Sequence, residues 1–303
     1  MLVVGIVGVL VVAWLIGQLL RLFVAGGASS SVIDNLNRRI RAWWVLAGLV
    51  GLAVYAGRGG VCLLFAVASL AALHEFMTAG LPDRPSRRLL LGGYLVVALQ
   101  YLFVWTASAA AFIFALPLVG ALSLLAAWAI GGRGGPPSGH GLRAGLLISV
   151  YGISYAPALV TLLPGRDGAD DWRLLIFLLV VVQASDVLQY LWGKLAGRHP
   201  IAPRVSPSKT VEGSVGGLLC ASALGALLAP ITPFSREQAA LIALLLVVLG
   251  FAGGLALSAV KRQRGIKDWG RLIPGHGGVL DRLDSLYLSA PVFYYLLRGG
   301  WAG

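Results

Sequence analysis

The chain has 303 residues, 58% of them hydrophobic and 12% charged, with 24 Lys and Arg against 12 Asp and Glu and a formal net charge of +12. A soluble globular domain carries about 25% charged residues, and a mean hydropathy of +0.85 excludes that class. Long apolar runs separated by short polar loops predict an all-α, polytopic integral membrane protein with about nine or ten transmembrane helices, whereas a β-barrel would alternate polar and apolar residues in short segments.

In chain order the predicted spans are 2–24, 42–57, 60–79, 89–106, 109–130, 143–163, 172–192, 213–233, 238–260 and 285–297. The first is long enough to span and is followed, not preceded, by cations (Arg38, Arg39, Arg41), so it reads as a helix rather than a cleaved signal. The second and last fall short of the roughly 20 residues a straight span needs. Cys62 and Cys220 lie inside apolar runs and suit helix packing. His74 and Glu75, at the end of the third run, either close a lipid cavity or pair with an arginine at the interface.

Cytoplasmic loops carry the excess of Lys and Arg. Alternate loops starting at 25–41 hold 18 cations and the opposite loops 5, which places both termini outside and the polar loops near residues 200 and 270 in the cytoplasm. The division that follows is an N-terminal helical region, 1–170, and a C-terminal catalytic region, 171–303. All four lysines, Lys194, Lys209, Lys261 and Lys267, fall in the last two cytoplasmic loops, whereas the twenty arginines are scattered. That restriction points to positions where a compact ammonium matters, such as a phosphate contact.

Asp186 lies within the seventh run, where an ionised carboxylate costs roughly 2.5–3.5 kcal/mol at the helix centre. Gln183, Asp186, Gln189 and Tyr190 share a helix face, which must turn toward a partner helix or a water-filled cavity. Downstream, Lys194 and Arg198 follow glycines, and Ser206, Ser208, Lys209, Thr210 and Glu212 precede the next run. Hydroxyls and a lysine before a helix suit a phosphate. The same residues also suit an N-cap and a first-turn acid.

Residues 258–285, SAVKRQRGIKDWGRLIPGHGGVLDRLDS, concentrate charge most densely. Lys261, Arg262, Arg264 and Lys267 could neutralise phosphate oxygens. Asp268, Asp281 and Asp284 offer hard oxygen ligands of the kind Mg²⁺ takes together with substrate phosphates. Gly275, Gly277 and Gly278 allow backbone to approach a ligand. Simpler roles exist for each: Asp281 as an N-cap, His276 as a structural hydrogen-bonder, the arginines as topology signals or contacts to anionic lipid. No P-loop and no Zn ligand set is present.

Ser258, Lys261-Arg262, Lys267-Asp268, Gly270, Ile273-Pro274, His276-Gly277-Gly278 and Asp281-Arg282-Leu283-Asp284 resemble the signature of the phosphatidate cytidylyltransferases, or CDP-diacylglycerol synthases. The block from Asp186 to Gly213 is similar to a second motif of that family, although Asp186-Val187-Leu188-Gln189-Tyr190 stands where the commoner pattern is Asp-Thr-x-Ala-Tyr, which suggests a divergent branch. The resemblance implies transfer of a cytidylyl group from CTP to phosphatidic acid at the cytoplasmic face of a bacterial inner membrane, with Mg²⁺ or another divalent cation. It implies membrane lipids as surroundings, no nucleic acid, and leaves a homodimer open. By the same resemblance Asp186 and Asp268 bind metal, with Asp281 and Asp284 joining them. The expected catalytic set is Asp186, Lys267, Asp268 and His276. Substrate contacts are expected from Lys194, Ser206, Ser208, Lys209, Thr210, Glu212, Lys261, Arg262, Gly277, Gly278 and Arg282. The alternatives are a CTP-dependent polyprenol kinase, a related CDP-lipid synthase, or a transporter with an anion site. Confinement of the unusual polarity to one C-terminal region speaks against the last.

Overall fold

Backbone in a lipid bilayer must satisfy its own hydrogen bonds, so apolar runs of this length become helices. The computed structural model describes residues 31–81, 85–115, 137–163, 171–273 and 277–300, with scattered positions at 5–19 and residue 117. In order these form α1 (Ser31–Tyr55), α2 (Gly57–Ala79), α3 (Arg87–Trp105), α4 (Pro137–Leu146), a π-helical turn (Leu147–Gly152), α5 (Ile153–Thr161) and α6 (Trp172–Leu195). A hairpin of β1 (Pro200–Ala202) and β2 (Ser206–Thr210) follows, then α7 (Val211–Leu227), a 3₁₀ turn (Ala229–Ile231), α8 (Arg236–Gln263), α9 (Leu280–Leu283) and α10 (Leu286–Arg298).

Among the described residues, five helical stretches are long and apolar enough to cross a membrane: Gly57–Ala79, Arg87–Trp105, Gly141–Thr161, Trp172–Leu195 and Arg236–Gln263. Each coincides with a predicted span. The chain is an all-α membrane protein. Apolar helices Ile40–Tyr55 and Val211–Leu227 are shorter, and α10 has 13 residues. Most of the predicted spans 2–24 and 109–130 lies outside the described residues.

Helix starts follow capping chemistry. The Ser86 hydroxyl accepts from Leu89 N, and Ser235 with Gln238 forms a capping box on α8. Thr210 caps α7 by accepting from Gly213 N at 3.1 Å. Polar groups within the bundle find one another, as transmembrane helices require. Gln100 Nε2 donates to Ser154 Oγ at 3.2 Å, and the Tyr155 hydroxyl meets those of Tyr151 at 2.6 Å and Tyr295 at 2.9 Å.

The sequence reading did not foresee the antiparallel hairpin. Val211 N donates to His199 O, and Arg262, at the end of α8, donates from Nε to Val205 O and from Nη1 to Ile266 O, both at 3.1 Å. One guanidinium thus ties the hairpin to the loop after α8. On the other side, the π-helical turn crosses the start of α10 at Gly152. A Cβ at Gly152 would lie 2.5 Å from Tyr287 O, a backbone atom that cannot swing away. This contact helps hold α10, and the chain entering it, against the bundle.

Gly152→Ala is therefore expected to lower stability by about 1–3 kcal/mol through overpacking. Gly92→Ala, on α3 with nothing within 4 Å of the new methyl, should be neutral or stabilising. Unfolding of the two variants in the same detergent checks this, and equal behaviour would contradict the close crossing.

Candidate active site

Four carboxylates were expected to gather around a cation. Among the described residues, no three Asp, Glu, His or Cys side chains converge as a metal site. The carboxylates divide instead into two groups with different surroundings.

Asp186, from the polar face of α6, and Asp284, just before α10, form the first group. The charge of Asp186 acts on Asp284, and Lys209 and Arg282 act on both. Lys209 extends from β2 across the ring of Phe251, 4.5 Å from its centroid. A Cβ at Gly254 would lie 3.5 Å from Lys209 Nζ and 3.9 Å from Asp284 Oδ2, so ammonium and carboxylate both approach that bare backbone. Gln183 Nε2 donates to Arg282 O at 2.9 Å, fixing the approach to Asp284. Burial first, and the Asp186 carboxylate second, push Asp284 up to about 7. Arg282 Nε is buried without a hydrogen-bond partner, and the Ser285 hydroxyl donates to the Asp186 carboxylate.

Asp281 heads the second group, and its oxygens are already engaged. Oδ1 accepts from Lys261 Nζ at 2.7 Å, and Oδ2 accepts from Trp269 N at 2.7 Å and Gly278 N at 2.9 Å. Lys261 is 8% exposed and Asp281 6%. This pair clamps the loop after α8 to the start of α9. Gly277 sits inside the clamp with φ +86, a conformation that glycine alone adopts freely. A Cβ there would stand 2.7 Å from Asp281 Oδ2 and 3.1 Å from Asp268 Cβ.

The sequence profile of the Cytidylyltransferase family matches residues 37–299. The chain belongs to that family. It is 37% identical over 270 residues to the uncharacterized protein YnbB of Escherichia coli, covering 87% of this chain and 88% of that protein. It is 32% identical over 263 residues to the phosphatidate cytidylyltransferase of Brucella abortus, covering 86% and 93%. With the phosphatidate cytidylyltransferase of Mycobacterium leprae the identity is 40% over 170 residues, 54% and 53% of the two chains.

Elsewhere in this cytidylyltransferase, the expected site residues take varied positions. Lys267 and Asp268 are exposed on the loop, Asp268 beside Gly277. Lys194 is exposed with its ammonium 5.9 Å from the Tyr190 ring centroid. Ser208 is exposed, Ser206 half-buried, and Thr210 serves as the N-cap of α7. Glu212 Oε2 accepts from Arg198 N at 2.9 Å and His199 N at 3.1 Å, while Oε1 meets His199 Nδ1. The Arg198 amide first, and the His199 ring second, hold Glu212 down to about 2. These residues border a surface cavity of about 440 Å³ with Leu195, Ala196 and Gly197. His276 lies outside the described residues, with Pro274 and Gly275.

The sequence reading missed what Glu75 does. Its oxygens accept from Val279 N at 3.0 Å and Leu280 N at 2.9 Å. A carboxylate closing an apolar run was the available signal, but its partners lie more than two hundred positions away.

The first group fits a divalent cation carrying phosphates. It provides two hard carboxylates close enough to act on each other, the Ser285 hydroxyl bonded to Asp186, and two cations for the phosphate oxygens. The two groups should also answer mutation differently. Asp281→Ala leaves the buried Lys261 ammonium unpaired and is expected to cost about 3–5 kcal/mol. Ionisation of Asp284 opposes folding, a penalty that builds from the ordinary aspartate range up to about pH 7 and is complete above it. Asp284→Asn should therefore keep or raise stability at neutral pH. Denaturant unfolding in micelles checks both, and equal destabilisation would contradict the division.

Proposed function

We propose that this chain is a phosphatidate cytidylyltransferase, transferring the cytidylyl group of CTP to phosphatidic acid to give CDP-diacylglycerol and pyrophosphate. The observation that carries the reading is the half-buried Asp186–Asp284 pair, attended by Lys209 and Arg282 and set among apolar helices. Family membership, and relatives named as phosphatidate cytidylyltransferases, support it.

The chemistry asks for little proton transfer. A phosphatidate oxygen is an anion at neutral pH and attacks the α-phosphorus of CTP directly. The new O–P bond forms as the bond from that phosphorus to the β-phosphate oxygen breaks, and pyrophosphate leaves. The protein has to bring two polyanions together and offset charge as it develops. Asp186 and Asp284 would hold Mg²⁺, which supplies charge neutralisation on the phosphates when bound. Lys209 and Arg282 face the same space and take non-bridging oxygens. Lys267 and Asp268, exposed on the neighbouring loop, meet the nucleotide from the solvent side, with Gly277 shaping the turn. Lys261 and Asp281 act through the loop they clamp.

The helices of 1–170 house the acyl chains, and 171–303 carries the chemistry. The cation bias of the loops supports about nine or ten spans, with the site on the cytoplasmic side of a bacterial inner membrane, where CTP is found.

The test uses the full chain in detergent with phosphatidic acid, Mg²⁺ and α-labelled CTP. Label is expected in a lipid product, lost on chelation and restored by Mg²⁺. Asp284→Asn and Asp186→Asn should each lower turnover by about a hundredfold or more. Labelled CDP without labelled lipid would indicate a CTP-using kinase. A folded sample that binds CTP and turns over none of several lipid phosphates would overturn the reading.

A further inference from the structure

Glu75 sits near the end of α2, only 9% exposed, in a run that is otherwise apolar apart from His74. A buried carboxylate persists when charge-assisted hydrogen bonds replace its water. Here both replacements come from the far end of the chain. Val279 N and Leu280 N, at the start of α9, donate to Oε1 and Oε2 respectively. Amides in a first helical turn have no partner within their own helix, so Glu75 supplies what α9 lacks.

The fit around the carboxylate is close. A Cβ at Gly270 or Gly278 would lie 2.4 Å from a Glu75 oxygen, so the loop wraps it with bare backbone. One residue on, the Phe76 ring meets Trp269 with centroids 5.3 Å apart. At Gly80, a Cβ would stand 2.8 Å from Trp269 Cζ3. Trp269 N in turn donates to Asp281. The end of α2 is thus a socket made of one carboxylate, one ring and one bare glycine. The loop seated in it continues through α9 directly to Asp284.

We propose that Glu75 is a positioning residue for the transfer reaction. By fixing the Val279 and Leu280 amides, its carboxylate sets where Asp284 stands opposite Asp186. Glu75 touches neither substrate nor metal in this account, which rests on the cytidylyltransferase reading above. The geometry explains why a carboxylate is needed. Glutamine has one acceptor oxygen and would turn an amino group toward one of the two N–H donors. Leucine would leave both amides unpaired in an apolar setting.

The experiment compares Glu75→Gln, Glu75→Asp and His74→Ala in the full-length protein. His74 neighbours Glu75 but bonds to Tyr94 rather than to the loop. Amide hydrogen exchange over 268–284 reads the socket without requiring activity. Turnover as a function of Mg²⁺ reads the positioning.

Glu75→Gln is expected to raise exchange in that segment about tenfold or more while distant helices stay protected. Turnover should fall about tenfold, with half-saturating Mg²⁺ rising by a similar factor. Glu75→Asp, which keeps the charge on a shorter arm, should fall between it and wild type, and decides the matter if the glutamine variant does not fold. His74→Ala should leave exchange in the segment unchanged. Unchanged exchange in folded Glu75→Gln would overturn the socket. Raised exchange with wild-type turnover and Mg²⁺ dependence would overturn the positioning role. An inactive wild type would overturn the transfer reading and this role with it, and the exchange result would still separate that failure from failure of the socket.

Discussion

The arrangement depends on how a carboxylate is compensated at the end of an apolar bundle. Asp281 draws Lys261 from α8, Trp269 N from the following loop and Gly278 N from just before α9. Glu75 draws the next two amides, Val279 and Leu280, from the other half of the chain. The loop is therefore organised around two anions, much as a soluble domain is organised around apolar side chains. Hydrogen bonds to charged groups contribute about 1.5–3 kcal/mol each. An uncompensated buried charge costs several kcal/mol. The five donors and two carboxylates consequently stand together, and losing one strands its partner.

Asp186 and Asp284 are arranged on the opposite principle. They carry like charge; Lys209 and Arg282 act on both from separate elements, and Lys261, paired with Asp281, acts on Asp284 as well. Beside them Arg282 Nε is buried without a partner, while the Ser285 hydroxyl donates to Asp186. Such a site is costly to the folded chain and well suited to a polyanion carried on a cation. Close packing holds it in place: Ser289 Oγ donates to Leu246 O at 2.8 Å, and α10 crosses the π-helical turn at Gly152.

Much of this was legible in the sequence. Of the ten spans the apolar runs marked, five coincide with helices long and apolar enough to cross a membrane among the described residues, because lipid leaves the backbone few options. The spacing of Gln183 and Asp186 marked the working face of α6, and the structure brings both to Arg282 and Asp284. Spacing names a face, however, and not the partner across from it. Asp281 and Asp284 read as equivalent acids at i and i+3, yet one is saturated with donors and the other is not. Thr210 and Glu212 suited either a phosphate or helix-start chemistry. Thr210 caps α7, and Glu212 staples Arg198 and His199. The hairpin escaped notice because β1 and β2 have three and five residues and are held by Arg262, which lies more than fifty residues downstream of Val205.

The lysine bias then has more than one cause. Lys261 is spent on Asp281, at a buried position where an ammonium needs at most three partners. A guanidinium would bring five N–H donors, more than the clamp's acceptors could satisfy. Lys209 lies over an aromatic ring and beside Asp284, where a compact head fits the space left by Gly254. Lys194 and Lys267 are exposed, and neither constraint acts on them. For Lys209 and Lys261 the surroundings therefore limit the size and donor count of the head group, whether its partner is a protein carboxylate or a substrate phosphate. Confinement of the head group thus accounts for two of the four lysines, and the identity of each partner comes only from the fold.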